Sequence, residues 1–124
     1  MSQEVLLNFK RPKFVVKPHL ISRAVGSYSL HLPRGSDVLT IQPRGDFVAL
    51  LVLQPKCWTE LCTRTFLVVE EKVPFEAELT LFEEEGVDIP AVKFIGMWSE
   101  EVAKKHSVTR MVLEVTDIMS IDMF

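Results

Sequence analysis

The chain is short of the residues from which most reactive sites are built. Its 124 residues include five glycines, three histidines and two cysteines. His19, His31 and His106 stand far apart in sequence, and Cys57 and Cys62 do not have the close spacing of a zinc knuckle. There is no phosphate-cradling glycine loop, dinucleotide fingerprint or Gly-x-Ser-x-Gly elbow. Glu83, Glu84, Glu85 and Asp88 read as a solvated acidic loop rather than a cation site. No catalytic residue, metal or cofactor is therefore expected. No apolar run reaches the roughly 18 residues that a membrane-crossing helix requires. The apolar Val5-Leu6-Leu7 precedes the first basic residues, the reverse order of a secretory leader. The two cysteines read as free thiols of a reducing compartment, so the expected location is the cytoplasm.

What is present is a globular composition, with 48% hydrophobic and 25% charged residues. A chain of this length makes one domain with a core of its own. The net charge of −3 conceals an asymmetry. Through Arg64 there are nine Lys or Arg against four Asp or Glu; from Thr65 onward there are five against thirteen. Such polarity can orient a partner, unless the two halves interleave and their fields cancel.

The strongest local signal lies between Leu30 and Pro55. Two Pro-Arg-Gly turns, at residues 33–35 and 43–45, bracket a short alternating strand, Leu39 to Gln42. The fully apolar run Phe47 to Leu53 follows and reads as a central strand covered on both faces. Pro33-Arg34-Gly35 suits a turn with Pro at the second position and Gly at the fourth. Tyr28, Leu30 and Leu32 alternate with polar residues, placing His31 on the wet face. Thr63–Glu70, Val92–Trp98 and Thr109–Thr116 also read as strands, and Gly96 inside one of them marks a bulge or a close approach. Residues 74–86 fit either a strand or a helix that begins at Pro74 and stops at Gly86, with the strand slightly favoured. Ser99 as N-cap, Glu100 and Glu101 in the first turn, and Lys104 to His106 in the last predict a short helix over 99–106. The expected fold is α+β but mostly β: an antiparallel meander or sandwich-like sheet with that one helix. Residues 1–26 read as a basic arm, in which Pro12 and Pro18 confine any strand to a sheet edge. Residues 27–116 read as the domain and 117–124 as an apolar tail.

The runs His31-Leu32-Pro33-Arg34-Gly35, Leu39-Thr40-Ile41-Gln42 and Leu50 to Pro55 resemble the opening of a small β-domain family encoded by bacteriophages. Arg64 to Val69, Phe94-Ile95-Gly96 and Met111 to Val115 resemble its later strands. The likeness spans residues 28–116, with extra sequence between Lys72 and Pro90, and Glu70-Glu71-Lys72 replaces the family's threonine-glycine-histidine. It implies a phage-encoded β-domain of unassigned activity.

The functional expectation is a non-enzymatic protein-binding module, a phage protein that modulates a host protein in the host cytoplasm. Its expected contacts are Trp58, Trp98, Arg34, Arg44 and the tail residues Ile118, Met119, Ile121, Met123 and Phe124, because aromatics, Met and Arg concentrate at interface cores. Homo-oligomers through an edge strand or the tail are a further expectation; a membrane partner is not. The alternative is nucleic-acid binding through Lys10, Arg11, Lys13 and Lys17, which are interleaved with Phe9 and Phe14. The acidic pI of about 5.6 opposes it.

Overall fold

The structure, a computed structural model, describes residues 13–57, 60–77 and 81–116. Its strands are β1 (Phe14–Ser22), β2 (Gly26–Pro33), β3 (Asp37–Arg44), β4 (Phe47–Pro55), β5 (Leu61–Glu70), β6 (Leu81–Glu84), β7 (Val87–Pro90), β8 (Val92–Ala103) and β9 (His106–Val115). They form a three-stranded sheet, β1-β4-β3, a four-stranded sheet, β2-β5-β9-β8, and the separate hairpin β6-β7. Every pairing is antiparallel. The two larger sheets share one core, to which β1, β3 and β4 contribute from one side and β2, β5, β8 and β9 from the other. The molecule is thus mostly β and sandwich-like, as expected. The simple meander is corrected, because β1 pairs with β4 and β2 with β5, so the chain crosses between sheets at β1–β2, β2–β3 and β4–β5, while β3–β4 and β8–β9 remain hairpins within one sheet.

Local chemistry explains the joints. Arg44 pairs with Phe47, leaving Gly45-Asp46 as a two-residue loop, and Gly45 at φ 58° takes the first position of a type II′ turn. In the other Pro-Arg-Gly turn the Ser36 amide donates to the Pro33 carbonyl, and Gly35 at φ 84° stands third. The turn therefore begins on Pro33, one residue later than the sequence reading placed it, because the third position of a type II turn demands positive φ. Pro18 sits inside β1 without breaking a ladder bond. The Lys56 amide donates to the Lys13 carbonyl. By alternation, Val15, Lys17, His19 and Ile21 face β4 with their backbone groups, and Pro18 turns its missing N–H toward the open edge.

The helix expected over 99–106 does not form. Those residues close a β-hairpin, in which Trp98 pairs with Arg110, Glu100 with Val108 and Ala103 with His106. Eight residues are too few for a helix to stand alone. Cap and dipole terms of about 1 kcal/mol lose to the ladder and to the core contacts of Trp98 and Val112. Of the ambiguous segment, Pro74–Ala77 has no regular structure, residues 78–80 lie outside the described residues, and Leu81–Glu84 is a strand. Gly86, at φ 80° beside Glu85 at φ 53°, makes a type I′ hairpin turn rather than a helix stop. Residues 14–22 of the expected arm are an edge strand paired over its whole length.

Gly96 fulfils both readings of an interior glycine. The β8–β9 register slips between Phe94 and Gly96, and a Cβ on Gly96 would lie 2.7 Å from Ile41 Cγ1 on β3. The branched Ile41 side chain cannot swing clear as a long flexible one would. Gly96→Ala is expected to destabilise by about 1–3 kcal/mol, read by urea denaturation, and Ile41→Ala in the same chain should recover part of that loss. Equal midpoints for wild type and Gly96→Ala would show that the two sheets separate freely at this corner.

Candidate protein-docking face

Directly paired residues of an antiparallel ladder share a face. On β4, Val48, Leu50, Val52 and Gln54 are buried and point into the core, with Ile21 and Val38 from the flanking strands. The opposite row is Phe47, Ala49, Leu51, Leu53 and Pro55, in which Ala49 is fully buried. Beside it on β1 runs a second row: Leu20 against Ala49, Pro18 against Leu51, Val16 against Leu53 and Phe14 against Pro55. Phe14 (52% exposed), Val16, Leu20 and Phe47 are open to solvent, and Leu51 and Leu53 are half-buried. Only the β3 row is polar, with Asp37, Thr40, Gln42 and Arg44. Two adjacent apolar rows on the outside of a sheet make one continuous patch of the kind that marks an interaction site.

The partly buried charged side chains elsewhere are committed to each other in two clusters. Arg64 grips Glu114 with two hydrogen bonds, Nε to Oε2 at 2.5 Å and Nη2 to Oε1 at 2.8 Å, and donates from Nη1 to the Ser36 carbonyl at 2.6 Å. The bonds to Glu114 raise the Arg64 pKa above its ordinary value, against the opposing effect of burial. At the other end, Arg110 Nη1 donates to Glu100 Oε2 at 2.8 Å and to the Arg23 carbonyl, while Glu70 lies 3.5 Å from Arg110 Nε. The Arg110–Glu70 approach is too poorly aligned for a hydrogen bond, and Arg110 Nε is buried without one. These clusters fasten strands together. Among the described residues no three His, Cys, Asp or Glu side chains come together as metal ligands. His19 Nε2 lies 2.8 Å from Gln54 Oε1, and His31, exposed as expected, lies 3.1 Å from the Thr63 hydroxyl. Cys57 and Cys62 are free thiols.

The contact residues expected from sequence are scattered. Trp98 is 7% exposed and belongs to the core, its Nε1 reaching Glu100 Oε2 at 3.4 Å, so it fills the sandwich rather than meeting a partner. Arg34 is exposed and ion-paired with Glu60 at 3.0 Å. Arg44 is exposed and donates to Gln42 Oε1 at 2.9 Å. The two arginines belong to opposite ends of β3, about 23 Å apart along an extended strand, so they do not share a patch. Lys17 on β1 and Lys13 just before it are exposed. Trp58, Lys10, Arg11, Ile118, Met119, Ile121, Met123 and Phe124 lie outside the described residues. The face itself was missed. Its signal is the i, i+2 series Phe14, Val16, Pro18, Leu20, which an arm would not need but a strand opposite Phe47–Leu53 does.

No family model, curated protein or solved structure matches the chain. The likeness to the phage domain family therefore rests on the quoted motifs alone. No helix among the described residues is long and apolar enough to cross a membrane.

Proposed function

We propose that this chain is a non-enzymatic protein-binding module that docks through the outer face of its three-stranded sheet. The observation that carries the reading is the pair of apolar rows, Phe14-Val16-Leu20 and Phe47-Leu51-Leu53, facing outward beside one another. Burying such rows against a partner removes apolar area worth about 25 cal/mol per Å² from water. The biological setting that fits the sequence resemblance is a phage protein bound to a host protein. A photocrosslinking residue at Val16 tests the docking face, with one at His31 on the other sheet as control. Adducts to protein are expected from position 16 and not from 31. Equal labelling from both positions, or none from 16, would remove the face from the account.

A further inference from the structure

The three-stranded sheet ends on β1, and among the described residues nothing pairs with the outer side of that strand. Val15, Lys17, His19 and Ile21 direct their backbone groups at β4. The N–H and C=O groups of Phe14, Val16 and Leu20 therefore point away from the sheet, with the C=O of Pro18 between them. Such a row is a template for another strand. The four edges of the two larger sheets are not equal. β3 and β8 are bulged, and a bulge spoils the regular ladder that a new strand needs. β2 is regular, but its exposed side chains are Ser27, Ser29 and His31. Of the four, β1 alone combines an unbroken nine-residue register with exposed apolar side chains on its outward side.

The inward side of the same edge is basic. Lys17 stands opposite Val52, which faces the core, and by alternation Lys13 and Lys56, opposite each other, share that side. All three lysines are exposed, and among the described residues none of them has an ion-pair partner. Like charges directly opposite one another are destabilising, and a carboxylate brought beside them relieves that cost.

We propose that β1 receives an added strand from the partner protein: an extended segment, antiparallel to β1, with apolar side chains beside Phe14 and Val16 and acidic side chains opposite Lys13 and Lys17. This rests on the docking reading above and names the segment that docks. Main-chain bonds supply the attachment, and the alternate side chains supply the selectivity. Because Lys13 and Lys17 turn their backbone groups to β4, they form the closer, non-hydrogen-bonded kind of pair with the new strand. Cα atoms in such pairs lie about 4.5 Å apart, so a carboxylate opposite each lysine is within ion-pair reach. On the outward side the new apolar row lies beside Phe14 and Val16 and covers them. A second copy of β1 fits the edge poorly. Full overlap about a two-fold axis sets Pro18 against Pro18, with no N–H from either, and the register that pairs Val16 with Pro18 sets Lys17 against Lys17.

Amide hydrogen exchange of the full chain, read by NMR with and without the peptide acetyl-Thr-Val-Glu-Val-Thr-Val-Glu-amide, tests this. Its glutamates fall opposite Lys17 and Lys13 when its valines lie beside Pro18, Val16 and Phe14. The amides of Phe14 and Val16 are expected to exchange fast in the free chain and about tenfold more slowly at saturating peptide, while those of Lys17 and His19, already bonded to β4, stay unchanged. The same peptide with lysine in place of both glutamates should bind about tenfold more weakly, and Lys13→Glu with Lys17→Glu should reverse the preference. Both positions are exposed, and circular dichroism checks that the variant folds. Equal affinity for the two peptides, or no slowing at Val16, would overturn the added strand. Slow exchange of Val16 in the free chain would overturn it too, showing an edge filled by the chain itself, or by a second copy where the slowing grows with concentration. Shifts confined to the methyl groups of Val16, Leu51 and Leu53, with amide exchange unchanged, would remove the added strand and leave the docking face standing. Photoadducts from Val16 test that face separately.

Discussion

Glu114→Ala is expected to lower the unfolding free energy by about 3–4 kcal/mol. Glu114 is buried on β9 and holds the only carboxylate hydrogen-bonded to Arg64 among the described residues. Its removal leaves a guanidinium whose side chain is 23% exposed, with one carbonyl partner and no carboxylate bonded to it among the described residues. Stranding a buried charge costs more than the pair contributes when intact, because the pair offsets its own desolvation. The double variant Arg64→Met/Glu114→Leu, which removes both charges, is therefore expected to be more stable than Glu114→Ala alone. Urea midpoints at constant m-value measure all three. A Glu114→Ala loss below about 1 kcal/mol would class the pair with solvent-screened surface bridges. The pair also ties β5 and β9 to the Ser36 turn that leads into β3, so its loss should loosen the two sheets at that end together.

Phe66→Ala is expected to cost about 3–5 kcal/mol. Phe66 is fully buried on β5 and is the bulkiest of the wholly enclosed side chains. Its neighbours across the ladder are Tyr28 on β2 and Glu114 on β9, so the void would open in the middle of the four-stranded sheet. Close packing lets the surroundings collapse only in part, and the cavity term adds to the lost transfer energy. Against a total stability of about 5–15 kcal/mol this is a large fraction. Phe14→Ala, at a position 52% exposed, is the matched control and should cost under about 1 kcal/mol. Similar losses at both positions would mean that Phe14 is covered in solution, which bears directly on the proposed docking face.

Much of the strand inventory was legible. Alternation wrote β2, β3 and β9, and the unbroken run Phe47–Leu53 wrote a central strand. Pro18 announced an edge, and Gly96 announced its bulge. The helix at 99–106 was misread because the cap and dipole signals there are genuine but local, while the ladder to Arg110 and the burial of Trp98 depend on residues distant in the fold. Arg34 and Arg44 were read as contacts from residue type alone. Type cannot reveal that Arg34 is paired with Glu60 and Arg44 with Gln42, although turns at either end of a strand already separate the two arginines.

The outward apolar face was half-written in the sequence. An apolar strand with no polar side demands cover on both faces, and the core supplies cover for only one. Which row turns outward, and that Phe14, Val16 and Leu20 extend it, follows from the β1–β4 register.

The sequence by itself determined the β class, the turn positions and the segregation of charge along the chain, because side-chain period, proline and glycine geometry and residue charge are local properties. Tertiary structure alone decided that the chain crosses between two sheets at β1–β2, β2–β3 and β4–β5, that Trp98 is core, and that Phe14, Val16 and Leu20 turn outward beside Phe47, Leu51 and Leu53. Those outcomes depend on which distant strands share a ladder, and a one-residue change of register would exchange every inward side chain for an outward one.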